Sequence, residues 1–213
     1  MIIFLYIIAL LSFSDTANAQ TSEGVETALA LLREGCKYEL GEELLSKISS
    51  ADTSHPPEAV IIKFNLDIPL SRRKKSGAAE LMFGCNAKQS KFRDEEIDRS
   101  TKKIRSTTTA KEEIINQDSG GRYGRIIDWQ RKYQGENFRG TVAHVDSIFG
   151  DGIKMPTAEQ FYVCPAVAGF VCFSLIIDES LRLTEYERSN TVKMLQHIKI
   201  IPIRLEQKNR SEE

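Results

Sequence analysis

Four cysteines restrict what this chain of 213 residues can fold into more than any other feature of its sequence. An even number of cysteines allows a framework of two disulfides, with three possible connectivities. Two cysteines lie in the first half of the chain and two lie close together in the second half. We favour pairing within each half, because each bridge then lies within one structural unit. The predicted bridges are Cys36–Cys85 and Cys164–Cys172.

Two alternatives to disulfides are open at this stage. A zinc site is disfavoured, because the chain has no Cys-x-x-Cys pair and because His55, His144 and His197 are far apart in sequence. Free buried thiols are the other alternative. We therefore expect neither a metal nor a cofactor.

Residues 1–19 predict export of the chain. Ile2–Leu11 is an apolar run shorter than the roughly 20 residues needed to cross a bilayer. It is followed by Ala17-Asn18-Ala19, a pattern typical of a signal-peptide cleavage site. We expect cleavage after Ala19; an uncleaved anchor is the alternative, because no Lys or Arg precedes the apolar run. A lipid anchor is not expected. The predicted location is periplasmic or secreted, where disulfides persist.

The charge of the chain is nearly balanced, with 29 basic and 30 acidic side chains and a formal net charge of −1. Cleavage of the signal peptide removes Asp15 and brings the charge to about 0. A neutral chain gives no overall reason to expect binding to nucleic acid or to an anionic membrane. Nucleic acid nevertheless stays among the possible partners. After signal cleavage, no transmembrane span is expected.

The first half of the mature chain predicts a helix followed by a hairpin. Leucines at helical spacing predict one or two helices over 23–47, and a loop is predicted over 49–57. Residues 59–70 alternate apolar and polar side chains, which indicates a strand, and 78–85 is its predicted partner. The turn between them is basic. Its side chains could bind an anionic surface, but a solubilising tip is the favoured interpretation; they are Arg72, Arg73, Lys74 and Lys75.

The second half predicts mainly strands. Short apolar and β-branched runs indicate strands over 136–148, 159–164 and 171–177. The first of these has Val142 and Val145 out of phase, which predicts a bulge. A helix is predicted over 178–187 with Asp178 as a possible N-cap, a long strand over 191–205, and a short helix over 111–117. Trp129 and Tyr133 are four residues apart and are predicted to share a helix face; stacking on a base or sugar, together with Arg131 and Lys132, is the alternative.

This order of strands and helix resembles the small exported modules of the oligonucleotide/oligosaccharide-binding (OB) fold, whose first strand begins with a pattern similar to Phe138-Arg139-Gly140-Thr141-Val142. The resemblance covers residues 126–205. It implies an α+β chain in which an N-terminal helical and hairpin region precedes a small OB-like β-barrel with a short helix. The predicted regions are a signal peptide (1–19), a helix and hairpin region (20–86), a polar linker or solvated helix (87–125), the barrel (126–205) and a polar tail (206–213).

The same resemblance implies where a ligand would bind. In OB folds the exposed face of strands two and three is the usual ligand surface. The residues that it assigns to this surface are Tyr162, Phe173 and Lys154. His144 and His197 would lie on the first and last strands of the barrel and could meet, but a structural role is favoured for both.

A nuclease-like hydrolase is the alternative function on this scaffold. Staphylococcal-nuclease-like enzymes are OB folds with an Asp-rich turn, and the present chain has Gly150-Asp151-Gly152-Ile153 at the corresponding place. The arginines and carboxylates that should follow are missing, so Asp151 is better interpreted as a turn residue. No catalytic residue is predicted. The favoured function is an exported binding or accessory protein of the cell envelope that contacts another envelope protein, a glycan or a polyanion.

Overall fold

The computed structural model describes residues 23–55, 59–71, 75–86, 108–118, 121–167 and 169–202. These residues form a mixed α/β structure that consists mostly of β-sheet with few helices. Its elements are α1 (23–31), which continues as a π-helical turn at Leu32–Cys36, β1 (Tyr38–Leu40), α2 (Glu42–Leu45), β2 (Ile48–Ser54), β3 (Ala59–Leu70), β4 (Lys75–Asn86), α3 (Ala110–Asp118), β5 (Gly124–Gln134), β6 (Arg139–Gly150), β7 (Ile153–Pro165), β8 (Phe173–Ile177), α4 (Glu185–Leu195) and β9 (Ile198–Ile200).

One antiparallel sheet of seven strands organises the described residues, in the order β2-β3-β4-β8-β7-β6-β5. Strands from both halves of the chain share this sheet, because β4 pairs with β8 through Leu81 and Leu175. A separate two-stranded sheet joins β1 to β9. The seven strands do not close into a barrel, so the predicted OB-like barrel is not confirmed.

The main core lies on one face of the sheet. Alternate residues of β3, β4 and β8 point into it, and α1, α4 and the β1–β9 pair cover them. Aromatic rings fill its centre: Phe83 lies 5.1 Å from both Tyr38 and Phe173, measured between ring centroids. Burying rings of this size contributes roughly 1.5–3 kcal/mol each, which makes this layer the largest source of stability.

A second, smaller core lies on the opposite face. Ala110 and Ile114 of α3 pack on β6 and β7 and cover Ala143, Val145 and Tyr162. Both faces of β6 are therefore covered, which explains why Val142 and Val145 are both buried although they point to opposite faces. The register of β6 shifts against both neighbouring strands between Val145 and Ser147, whereas its pairing with β7 runs without a shift from Val142 to Val145, so the bulge predicted between these two valines is not found.

The helix predicted over 178–187 and the long strand predicted over 191–205 differ from the structure. Residues 178–184 contain no helix; Asp178 instead accepts hydrogen bonds from the Ser180 backbone and hydroxyl. α4 begins later, after Thr184, whose side chain and that of Glu187 form a reciprocal capping box. Four buried positions at helical spacing face inward from α4: Glu187, Thr191, Met194 and Leu195.

Other predicted elements have mixed outcomes. The strand over 59–70 and its hairpin partner are confirmed as β3 and β4, and the short helix near 111–117 is confirmed as α3. The helix predicted over 23–47 is divided by β1. The loop predicted over 49–57 contains β2, a polar edge strand without an apolar pattern. The helix predicted around Trp129 is wrong, because this segment is β5.

The structure joins Cys36 to Cys85 and Cys164 to Cys172, which are the favoured pairings. Cys36 is the last residue of the π-helical turn that follows α1, and Cys85 is the penultimate residue of β4, so the first bridge ties the helical layer to the sheet. The two bridges are consistent with an extracellular or periplasmic location. In the described part of the chain, no helix is long and apolar enough to cross a membrane. The predicted signal peptide, most of the predicted linker and the polar tail lie outside the described residues.

Candidate functional site

A buried polar network lies where β5, β6, β7 and α4 meet. His144 of β6 is fully buried, and its two ring nitrogens face carboxylates on the two neighbouring strands. Its Nδ1 lies 3.2 Å from Asp128 Oδ2 of β5, and its Nε2 lies 3.1 Å from Glu159 Oε2 of β7. The imidazole can donate to both carboxylates only when both nitrogens carry protons.

Glu159 is the centre of this network and is fully buried. Its Oε1 accepts from the Leu183 backbone N–H at 2.9 Å, and Arg188 of α4 donates to both oxygens at 3.0 and 3.3 Å. Burial raises the pKa of the Glu159 carboxyl, but the hydrogen bonds from His144, Arg188 and Leu183 outweigh burial and lower the pKa to about 2. Glu159 is therefore a carboxylate that holds α4 against the sheet.

Trp129 lies beside this network on β5. The pairing register shifts on both sides of Ile127, which places Asp128 and Trp129 next to His144. The indole is stacked with the His144 ring, with centroids 5.3 Å apart and planes 14° apart, and the Arg131 guanidinium lies 4.4 Å from the indole centroid. Trp129 Nε1 is buried and has no hydrogen-bond partner among the described residues.

Trp129 and Arg131 form one wall of a cleft of about 210 Å³ between β5 and α4. Four cationic residues and a single acidic one line this cleft, and Lys132 does so from the edge of β5, because its side chain alternates with those of Trp129 and Arg131. Glu185 accepts from Arg131 at 3.3 Å and lies 3.9 Å from Arg188. Lys132 and Lys193 are exposed and have no ion pair among the described residues. The lining is completed by Val142, Ser189, Val192 and Gln196. We call this feature the basic cleft.

A second carboxylate with a lowered pKa caps α4. The Thr184 backbone N–H and hydroxyl, and those of Ser71, all donate to Glu187 at 2.8–2.9 Å. These bonds, with that from the Thr184 backbone the largest effect, lower the pKa of Glu187 to about 2. Glu159 and Glu187 thus fix two points of α4 through ionised carboxylates.

These two carboxylates predict loss of stability in acid. Their pKa values are lower in the folded chain than the ~4.3 of a free Glu, so their contribution is complete above about pH 4.3 and disappears as the pH falls towards 2. We expect the denaturant midpoint to fall steadily between about pH 5 and pH 2. Urea unfolding followed by circular dichroism at several pH values measures this. A midpoint independent of pH in this window would contradict the hydrogen bonding described here.

The residues predicted as a ligand surface are not brought together. Phe173 is 2% exposed and packs in the main core, whereas Tyr162 is 7% exposed and lies in the second core on the opposite face. Lys154 is exposed, close to the turn between β6 and β7. The expectation that Tyr162 would lie on an exposed face is wrong, because α3 covers that face of β7.

The basic turn lies mostly outside the described residues, and the two histidines of the predicted barrel have different partners. Arg72, Arg73 and Lys74 lie outside the described residues, and the backbone of Lys75 begins β4. His197 Nε2 lies 2.7 Å from Glu43 Oε2 at the surface, so its partner differs from those of His144. No group of three or more ligand side chains in the described ranges is placed to hold a metal ion.

Asp151 occupies a turn, as its sequence context indicated. Asp151 and Gly152 have positive φ angles of 53° and 77°, which are those of a two-residue hairpin turn. Both carboxylate oxygens of Asp151 are engaged, one by Arg122 Nε at 2.7 Å and the other by the Tyr123 hydroxyl at 2.8 Å. This arrangement stabilises the turn.

The sequence interpretation covers the β5 side of the basic cleft but not the α4 side. It grouped Trp129, Arg131 and Lys132 as an aromatic and cationic cluster, and these three line the cleft. It missed Arg188 and Lys193, because α4 was not recognised. The capping pattern Thr184-x-x-Glu187 was the available signal. Nothing in the sequence indicated that Glu159 would meet Arg188.

Comparison with protein-family models, with curated proteins and with solved structures finds no match to this chain. The function is therefore argued from the chemistry of the basic cleft.

Proposed function

We propose that this chain is an exported binding protein of the cell envelope that holds an anionic group, such as that of an acidic glycan or polyanion, in the basic cleft. The observation that supports this proposal is the grouping of Trp129, Arg131 and Lys193 around one cleft, in which Arg131 is paired with the exposed Glu185 and Lys193 has no ion pair among the described residues. In a chain whose overall charge is close to zero, such a local excess of cations favours anions at this place.

Arg131 is the residue best prepared to receive the anion. Its guanidinium rests on Trp129, so part of the cost of ordering this long side chain is already met before a ligand arrives. Its present partner is Glu185, which is 65% exposed and accepts a single hydrogen bond from one guanidinium nitrogen at 3.3 Å. A carboxylate or sulfate that forms two parallel hydrogen bonds with the guanidinium would replace this single contact.

The size of the cleft limits what it can enclose. About 210 Å³ is below the roughly 300–1,000 Å³ of sites that enclose a drug-sized ligand. The cleft is large enough for one charged sugar unit or one anionic group, with the remainder of a longer ligand outside. Binding of this kind uses the open cleft between β5 and α4 and does not need the interior of a closed barrel.

Titration with a heparin oligosaccharide tests the proposal, with a neutral dextran oligosaccharide as the control ligand. Trp129 is the single tryptophan of the chain, so its fluorescence reports directly on the cleft. The variant Lys193→Gln should bind up to ~5-fold more weakly, if an exposed ion pair contributes about 1 kcal/mol. Glu185→Gln should bind more tightly, because it removes the internal competitor of the ligand.

Lys154→Gln is the matched control variant, since it removes an exposed lysine outside the cleft. It also tests the earlier assignment of Lys154 to a ligand surface. Equal weakening by Lys154→Gln and by the cleft variant would mean that binding depends on overall charge and would refute the proposed site. Fluorescence that changes with dextran as strongly as with heparin would refute the preference for anions.

A further inference from the structure

The turn between β6 and β7 carries apolar side chains that the rest of the fold does not cover. Phe149 is 52% exposed, Ile153 is 61% exposed and Tyr123, which leads into β5, is 44% exposed. These are three of the six large apolar side chains that are exposed among the described residues, and they lie around one turn. We call Arg122, Tyr123 and 149–154 the hairpin tip. It is a separate feature from the basic cleft.

The apolar side chains point to both faces of the hairpin. Phe149 pairs with Lys154 and Gly150 pairs with Ile153, so Phe149 and Ile153 project to opposite faces. Tyr123 lies on the Gly150 side, where a Cβ on Gly150 would overlap its ring. A flat partner placed on one face of the hairpin would cover only part of this surface. A medium into which the end of the hairpin inserts would contact the apolar side chains on both faces.

The hairpin tip is also rigid and almost free of unpaired negative charge. Asp151 is bound by Arg122 and by the Tyr123 hydroxyl, which ties the turn to the loop before β5. Lys154 has no acidic partner among the described residues, so one cation of the tip is uncompensated. Lys and Arg side chains can place their charge among headgroups while their alkyl parts stay in an apolar layer.

We infer that the hairpin tip inserts into the interfacial layer of a lipid bilayer that contains anionic headgroups. Aromatic side chains favour this layer, and apolar side chains on both faces of a hairpin are surrounded there. Lys154, the uncompensated cation of the tip, supplies the attraction to the headgroups. The contact is peripheral and brings the rest of the protein to the surface of the membrane.

Flotation with lipid vesicles tests this inference. The chain should float with vesicles that contain phosphatidylglycerol and should float less with pure phosphatidylcholine. Phe149→Ser/Ile153→Ser should lower the partition coefficient by about tenfold or more, which corresponds to about 1.4 kcal/mol. Tyr186→Ser is the matched control, because Tyr186 is an aromatic side chain, 66% exposed, on α4. It should float like the unmodified chain.

The outcomes separate this inference from the proposed function. Lys193→Gln should keep vesicle binding, whereas the tip variant should keep heparin binding and an unchanged unfolding midpoint. Absence of flotation, or flotation that the tip variant does not reduce, overturns the inference. Heparin binding decides the cleft independently of that result.

Discussion

Replacing Glu159 with glutamine is expected to destabilise the fold by about 3–5 kcal/mol, because it breaks a buried ion pair and leaves its partners unsatisfied. Glu159 accepts four hydrogen bonds from His144, Leu183 and Arg188. Glutamine has one acceptor oxygen, and its NH₂ group would face donors. Since small proteins are stable by only about 5–15 kcal/mol, the loss should be visible as a large shift of the urea midpoint.

Glu185→Gln is the matched control for this prediction. Glu185 contacts the same Arg188, but at 3.9 Å and with 65% of its side chain exposed. An exposed pair of this kind contributes about 0–1 kcal/mol, so this variant should remain close to the unmodified chain in stability. Similar small losses in both variants would show that Glu159 does not hold α4 in the way that its contacts indicate. Glu159→Gln should also reduce the loss of stability between pH 5 and pH 2.

The part of the fold that the sequence predicts is the part in which one face is buried and the other is not. In β3, Ile62, Phe64 and Leu66 alternate with Lys63 and Asn65, and the alternation follows burial directly. β5 has no such contrast, because most of its side chains are partly exposed at the edge of the sheet. The four-residue spacing of its tryptophan and tyrosine places two side chains on one face of a helix or on one face of a strand, so this pattern does not distinguish the two.

The error at α4 has a different cause. Residues 191–205 alternate well enough to suggest a strand, but Thr191, Met194 and Leu195 are buried at helical spacing. The helix begins in a charged segment, Glu185–Arg188, in which few apolar residues show the period. Only the capping box marks this start, and it depends on the reciprocal bonds between Thr184 and Glu187.

The candidate site combines residues that are distant in sequence. Glu159 and Arg188 are 29 positions apart, and they meet only because α4 crosses the sheet next to β7. A sequence can indicate a local cluster such as Trp129, Arg131 and Lys132, since neighbouring residues on a strand share an edge. It cannot indicate which carboxylate will neutralise which arginine when sheet order decides the contact.

Removal of the Cys36–Cys85 bridge is expected to cost more stability than removal of the Cys164–Cys172 bridge. The first bridge closes a loop with a sequence separation of 49 residues, and the second closes one of 8. If a disulfide acts mainly by restricting the unfolded chain, these loops correspond to about 4 and about 2.5 kcal/mol. Cys36→Ala/Cys85→Ala should therefore unfold at a lower urea concentration than Cys164→Ala/Cys172→Ala.

Each double variant is the control for the other, because both replace two cysteines by alanine and Cys36, Cys85 and Cys164 are all at most 2% exposed. Intact mass before and after reduction should first show a gain of two hydrogens for each bridge. Equal losses, or a larger loss for the short loop, would mean that packing of Cys164 beneath α3 outweighs the entropy of the unfolded chain. The predicted order follows from loop length alone, because the entropy of closing a loop grows with the number of residues in it. The bridge between α1 and β4 should therefore be the one on which the helical layer of the main core depends.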